Sequence, residues 1–180
     1  NYVNSVSDVN GNGRIDADDI LRLPAWANGS DNDGNGHTDD LFGWDFYDDD
    51  NRPFESYDNL GSSSPADSYH GTHVSGTIGA LANGSGVAGV VWDVQLMPLR
   101  FLGPGDTGGS SSDAIAALYY YTALGQANPA LDFVGTNNSW GGGGVEFLLR
   151  SLRASAHQLA SVRRHSGHPP GRVPAFRITA

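Results

Sequence analysis

The segment that most restricts the fold is residues 70–81, which read His-Gly-Thr-His-Val-Ser-Gly-Thr-Ile-Gly-Ala-Leu. Its apolar residues Val74, Ile78 and Leu81 are spaced four and three apart, which predicts a helix over residues 70–83. The opposite face carries mainly glycine and serine, although each glycine costs a helix about 1 kcal/mol relative to alanine. This bare face predicts close approach of another backbone to the helix.

Strand and helix patterns alternate further along the chain. Apolar runs predict parallel strands near residues 87–91, 94–102 and 132–138, and a serine-rich capping signal at residues 110–113 precedes a predicted helix over residues 113–125. Strands separated by helices indicate an α/β fold, with a parallel sheet whose cleft lies at the carboxyl ends of the strands.

The composition excludes several classes of function. The chain has no cysteine, so a disulfide scaffold, a thiolate metal centre and a cysteine nucleophile are excluded. Its net charge of −10 argues against a nucleic-acid partner. No apolar run is long enough for a membrane span, and no signal peptide is visible at the start of the sequence.

The charge is divided sharply along the chain. All 20 acidic residues lie at or before Glu146, with four arginines, whereas residues 147–180 contain six arginines and no acid. This tail also shows no helix or strand periodicity. A frameshifted or disordered end, a basic tail for an anionic partner and a divergent helix are the alternatives. This change of charge predicts a boundary after residue 146, and the Asp/Asn/Gly-rich start of the chain predicts another after residue 40. The predicted segments are therefore 1–40, 41–146 and 147–180.

Segment 1–40 contains two similar loops rich in Asp, Asn and Gly. In the first, residues 8–19, oxygen-bearing side chains alternate before Gly13, and an acid occupies the twelfth position. This pattern is typical of a calcium loop, because Ca²⁺ prefers several oxygen ligands and the glycine permits a sharp turn. A surface turn without metal is the alternative. The expected ligands are Asp8, Asn10, Asn12, Asp16 and Asp19.

The second loop begins 23 residues later and repeats the same start, but its twelfth residue is Phe42, which cannot bind a metal. The pair resembles the paired calcium repeats of dockerin modules, although residues 41–46 predict a strand instead of a helix. A plain turn is again the alternative. The expected ligands are Asp31, Asp33, Asn35, Asp39 and Asp40, with one of the last two completing the metal shell.

The sequence His-Gly-Thr-His-Val-Ser-Gly-Thr at residues 70–77 is the histidine motif of the subtilisin-like serine protease family, and the chain resembles that family over about residues 26–146. Other segments match the family in order, at residues 43–46 before the motif and at residues 86–102 and 137–141 after it. The resemblance implies a partial subtilisin-like three-layer α/β fold. It also implies a secreted, calcium-stabilised serine endopeptidase with a polypeptide substrate.

The resemblance also assigns roles to residues. It makes His70 the general base that accepts the proton of a serine. The segment that pairs with the substrate backbone matches Ser139, Trp140 and Gly141, and the opposite rim matches Thr107 and Gly108. An acidic calcium site of thermitase-like members matches Asp45, Asp48 and Asp50. The residues alone leave open a zinc site at the two motif histidines, a solvated acidic loop and polar turns at the two rims.

The departures from the family are equally specific. No Asp-Ser/Thr-Gly motif follows an apolar strand before His70, and residues 106–108 spell that motif without a preceding strand. The oxyanion Asn and the nucleophile segment Gly-Thr-Ser-x-Ala are absent from the sequence. A base without a nucleophile has no covalent route, so this chain by itself is predicted to be inactive. The alternative function is a noncatalytic, calcium-dependent binding module.

Overall fold

The computed structural model describes residues 6–13, 15–54, 70–103, 108–128, 131, 133–140 and 175–179. Its elements in chain order are helix α1 (Ala17–Leu21), strand β1 (Trp44–Asp45), helix α2 (His70–Gly79), strand β2 (Gln95–Arg100), helix α3 (Ser111–Ala127), strand β3 (Phe133–Asn138) and strand β4 (Ala175–Thr179). None of the helices in these ranges is long and apolar enough to cross a membrane.

The four strands form one parallel sheet in the order β1-β2-β4-β3. The predicted α/β class with a parallel sheet is therefore confirmed. Although the tail shows no strand periodicity in its sequence, it supplies β4, which pairs with β2 on one side and with β3 on the other. Backbone pairing forms a central strand through main-chain hydrogen bonds, which need no alternation of apolar and polar residues.

Helix α2 ends earlier than its periodicity predicts. It stops at Gly79, and the predicted strand over residues 87–91 is wrong. The amides of Val90 and Val91 instead donate to carbonyls in the last turn of α2. A Cβ on Gly89 would lie 2.5 Å from the nitrogen of Ala80, so a backbone approaches the end of this helix. The predicted approach over the glycine face is not seen among the described residues, because a Cβ on Gly76 would meet nothing within 4 Å and one on Gly79 would meet side chains.

The core forms around α3 and the sheet. Helix α3 begins after its N-cap Ser110, whose hydroxyl accepts the amide of Ser112, as the capping signal predicts. The ring of Tyr121 on α3 lies 4.8 Å from that of Phe133 on β3. The buried apolar cluster consists of Trp44, Leu99, Phe101, Ala114, Ala117, Tyr120, Tyr121 and Phe133.

Candidate functional site

His70 is the first residue of α2 and is exposed to solvent. The hydroxyls of Ser75 and Thr77 turn back onto the helix and donate to carbonyls one turn earlier, at 2.7 and 3.0 Å. His73 lies one turn along the same helix and is also exposed. The imidazole of His70 is therefore open to a reacting group from outside the helix.

The predicted substrate-binding segment follows β3 directly. Ser139 is exposed, and its hydroxyl oxygen accepts a hydrogen bond from Nδ2 of Asn137 at 2.7 Å. Trp140 is partly buried, and its ring meets that of Phe101 edge-on, with 5.1 Å between the centroids. The indole nitrogen of Trp140 is buried and has no hydrogen-bond partner among the described residues. Gly141 lies outside the described residues.

The opposite rim approaches the same phenylalanine. Gly108 has φ +67°, and its carbonyl accepts the amide of Gly103 at 2.8 Å. A Cβ on Gly109 would lie 2.1 Å from the carbonyl oxygen of Phe101, so only glycine fits there. Phe101 thus contacts both edges of the candidate cleft, which the sequence analysis missed. Its position at the end of a strand run was the available signal. Thr107 lies outside the described residues.

The two Asp/Asn/Gly loops begin with the same hydrogen bonds. The carboxylate of Asp8 accepts the amides three, four and five residues later, at 2.7, 3.1 and 2.8 Å. Asp31 accepts the equivalent amides at 2.8, 3.2 and 2.8 Å. The sixth residue of each loop, Gly13 or Gly36, has a left-handed backbone with φ +82° or +91°, which permits the sharp turn.

The first loop closes on itself through Asp19, which is 0% exposed. Its carboxylate accepts the amides of Val9 and Asp16, at 2.6 and 2.9 Å. Asp16 is the N-cap of α1 and forms a capping box with Asp19. The hydrogen bond from the Asp16 amide, together with that from Val9, lowers the pKa of Asp19.

The second loop closes through contacts with distant residues. The carboxylate of Asp40 accepts the hydroxyl of Tyr120 at 2.6 Å and the side-chain amide of Asn35 at 2.8 Å. Asp39 accepts the backbone amides of residues 28 and 29 instead. Burial raises the pKa of Asp33, and the nearby charge of Asp40 acts in the same direction. The amide of Gly36 is the main cause that lowers the pKa of Asp31.

His37 fixes the second loop to the core. Its ring lies edge-on to three aromatic rings, with centroids 4.6 Å from Trp44, 4.9 Å from Tyr120 and 5.7 Å from Phe46. Neither His37 nor Tyr120 was identified from the sequence. The two residues lie far apart in the chain, so local spacing could not have indicated their contact.

The acidic loop at residues 45–50 lies against β2. One oxygen of Asp45 accepts the amides of Tyr47 and Asp48, and the other lies 2.6 Å from Nη1 of Arg100. The same nitrogen is 3.0 Å from Asp48. Asp50 accepts the amide of residue 52 at 2.8 Å. Burial raises the pKa of Asp45, and the charge of Arg100 opposes that effect.

Asp18 of α1 connects the first loop to the rest of the chain. Its carboxylate lies 2.6 Å from Arg52 and 2.9 Å from Arg22. Burial by itself raises the pKa of Asp18, but hydrogen bonds from Asn10 and Arg22 and the charge of Arg52 hold it below its ordinary value.

A metal would find oxygen donors in both loops. The donor set is made of carboxylate and amide oxygens, the ligands that Ca²⁺ prefers. Within the described ranges, however, no three His, Asp or Glu side chains are placed to hold a metal ion together. An ion entering either loop would therefore require some of these side chains to move toward it.

The chain is similar in sequence to known proteins of one family. Residues 21–169 match the model of the Subtilase family. An extracellular protease of Xanthomonas campestris pv. campestris is 41% identical over 91 residues, covering 47% of this chain and 15% of the relative. An extracellular basic protease of Dichelobacter nodosus is 45% identical over 53 residues, covering 29% and 8%.

A third relative, Subtilisin-like protease 2 of Plasmodium falciparum, is 45% identical over 65 residues, covering 36% of this chain and 5% of the relative. The alignments thus span 15% or less of the length of these relatives. No solved structure matches the chain.

Proposed function

Because this chain belongs to the subtilase family, we propose that it serves in a secreted serine endopeptidase that hydrolyses polypeptides, with His70 as the general base. The observation that carries the proposal is the exposed imidazole of His70 at the start of the helix that bears the family's histidine motif. The relatives that are named extracellular proteases support secretion.

In such a reaction the imidazole takes the proton of a serine hydroxyl and later returns it to the leaving amine. A peptide substrate would lie as an added strand between Ser139–Trp140 and the rim at Gly108. The Trp140 ring packs on Phe101, which would hold that edge in place. The 180 residues contain no nucleophile motif, so we propose that they hydrolyse no peptide by themselves.

We also infer that the loops at residues 8–19 and 31–42 bind calcium. A carboxylate has about four lone-pair positions, so Asp8 and Asp31 can keep hydrogen bonds to backbone amides and still bind a cation. The other ligands in the loop at residues 8–19 would be Asn10, Asn12, Asp16 and Asp19. In the loop at residues 31–42 they would be Asp33, Asn35, Asp39 and Asp40. Calcium would then stabilise the folded state by mass action.

The test of the enzyme is activity and labelling of the complete gene product. A fluorophosphonate should label its serine and casein should be cleaved, and His70→Ala should lower kcat by roughly 10⁶-fold. His73→Ala is the matched control on the same helix and should keep the rate within about tenfold. Equal rates in wild type and His70→Ala would contradict the role of His70.

The 180-residue chain provides a second arm of the test. Casein cleavage by this chain that His70→Ala abolishes would contradict its predicted inactivity. A complete gene product that is not labelled, yet melts at a calcium-dependent temperature, would favour the noncatalytic calcium-binding module instead. An identical melting temperature in calcium and in chelator would contradict both calcium loops.

A further inference from the structure

The acidic loop at residues 45–50 already contains a cation. Nη1 of Arg100 lies between the carboxylates of Asp45 and Asp48, at 2.6 and 3.0 Å. The side chain of Asp45 is 1% exposed and that of Arg100 is 11% exposed. The guanidinium carbon also lies 5.7 Å from the centre of the Tyr47 ring. A carboxylate so deeply buried requires a compensating charge, and Arg100 supplies it.

We propose that Arg100 is the permanent cation of the acidic loop, so that Asp45 and Asp48 bind no calcium and β1 stays joined to β2 when calcium is removed. One oxygen of Asp45 accepts two backbone amides, and the other is paired with the positive charge of Arg100. A calcium ion on these carboxylates would lie within a few ångströms of a guanidinium, and the two positive charges would repel each other.

The other described ion pairs follow the same rule. Asp18, which is 2% exposed, is paired with Arg52 and Arg22. The arginines at positions 22, 52 and 100 therefore compensate the buried acids Asp18 and Asp45. The acids that begin the two calcium loops are held by backbone amides instead. The carboxylates that pair with arginine are therefore structural, whereas those held by backbone amides are the ones that the proposed function assigns to metal.

Arg100 also connects the acidic loop to the candidate cleft. Its Nε donates to the carbonyl of Leu102 at 3.2 Å, and its own carbonyl accepts the amide of Phe46 at 2.6 Å. Leu102 directly precedes Gly103, whose amide bonds to the rim glycine Gly108. The attachment of this rim to the sheet is therefore also independent of calcium.

The first experiment measures calcium stoichiometry by titration calorimetry of the 180-residue chain. Asp48→Asn removes a carboxylate beside Arg100, and Asp49→Asn is the matched control on an exposed neighbour in the same loop. Both variants should bind as many calcium ions as the wild type, with Kd within about twofold. Loss of one calcium ion in Asp48→Asn, with Asp49→Asn unchanged, would overturn the proposal.

The second experiment tests whether calcium is needed to keep β1 joined to β2. Hydrogen exchange of the Asp45 and Phe46 amides is compared in calcium and in chelator, with the Leu118 amide of α3 as reference. The exchange rates at Asp45 and Phe46, relative to Leu118, should change by less than about threefold. A rise above about tenfold at these two amides alone in chelator would overturn the proposal.

A variant of the arginine itself completes the test. Arg100→Gln should speed exchange at Asp45 and Phe46 by at least about tenfold, equally in calcium and in chelator. An unchanged exchange rate would show that Arg100 does not hold the loop. If Arg100→Gln does not fold, the Asp48→Asn stoichiometry and the wild-type exchange rates still decide. A wild type that binds no calcium refutes the calcium loops, and the exchange rates of Arg100→Gln then test Arg100 separately.

Discussion

The loops at residues 8–19 and 31–42 begin alike and end differently. In both, the first aspartate accepts the amides of the third to fifth residues after it, and a glycine turns the chain at the sixth position. The first loop then closes on Asp19 within its own sequence, whereas the second carries Phe42 there and closes on Tyr120 through Asp40.

The difference shows how far a repeated sequence determines structure. A run of Asp, Asn and Gly fixes a turn because the acceptor and the donors lie within six residues. Completion of the loop depends on what occupies the twelfth position. Where Phe42 provides no acceptor, the loop instead relies on α3 and on the rings around His37. The first loop thus closes within its own sequence, whereas the second is joined to the core by residues from other segments.

The largest effect is expected from Asp19→Ala. Partly buried amides of the first loop lose their acceptor, so that loop should lose calcium, with affinity falling by more than about 100-fold. The second loop should bind as before. Calorimetric stoichiometry measures this, and Phe42→Ala, at the equivalent position, is the control that should leave the number of ions unchanged. Unchanged stoichiometry in Asp19→Ala would contradict the local closure.

Tyr120→Phe tests the distant closure of the second loop. It removes the 2.6 Å hydrogen bond to Asp40, which should lower the free energy of unfolding by about 1.5–3 kcal/mol. Urea denaturation measures the loss. Tyr119 is 68% exposed, so Tyr119→Phe should stay within about 0.5 kcal/mol of the wild type. Equal stability of the two variants would show that the Asp40 contact contributes little.

Acidification should separate the loops by a smaller amount. The raised pKa of Asp33 means that it takes a proton at a higher pH than an ordinary aspartate, so protons should displace calcium from the second loop first. The lowered pKa of Asp19 keeps it ionised further into acid. Calcium release followed by NMR between about pH 6 and pH 3 measures the order. Asp33→Asn should make both loops release calcium at a similar pH. Release from the first loop at a higher pH than from the second would refute the predicted order.

The same titration predicts a loss of stability in acid. Asp18 and Asp19 have lower pKa values in the folded chain than in an unfolded one. Their contribution to stability is therefore fully present above about pH 4 and is lost as the pH falls through the lowered values. Melting temperatures should accordingly decrease below about pH 4.

The smallest effect is expected from Arg22→Ala. This arginine is 40% exposed and pairs with Asp18 one helical turn away, while Arg52 remains on the same carboxylate. The free energy of unfolding should fall by about 0.5 kcal/mol or less, because solvent screens such pairs. A decrease above about 2 kcal/mol in urea denaturation would show that the first loop is held by Arg22 instead of Arg52.

Much of the fold followed from local patterns. Ser110 predicted the start of α3, because a serine hydroxyl accepts an orphan amide at a helix N-terminus. The apolar run at residues 94–102 predicted β2, and the spacing of Val74, Ile78 and Leu81 predicted α2. The end of α2 could not be read from its periodicity, because the amides of Val90 and Val91 take up carbonyls in its last turn.

The candidate site divides in the same way. The motif identified His70, and the spacing identified the two loops, because both depend on residues close together in sequence. Phe101 was missed because its role depends on contact with Trp140 and Gly109, which lie in separate segments. Arg100 was missed for the same reason, since 52 and 55 residues separate it from the acids that it compensates.

The sequence by itself determined the family, the α/β class, the helix that carries His70 and the turn at the start of each loop. These features depend on residue spacing and on hydrogen bonds that span a few residues. The tertiary structure alone decided that β4 lies between β2 and β3, that Tyr120 closes the second loop and that Arg100 neutralises Asp45. Each of these depends on burial, which brings distant groups together and leaves a polar group stable only when another segment supplies its partner.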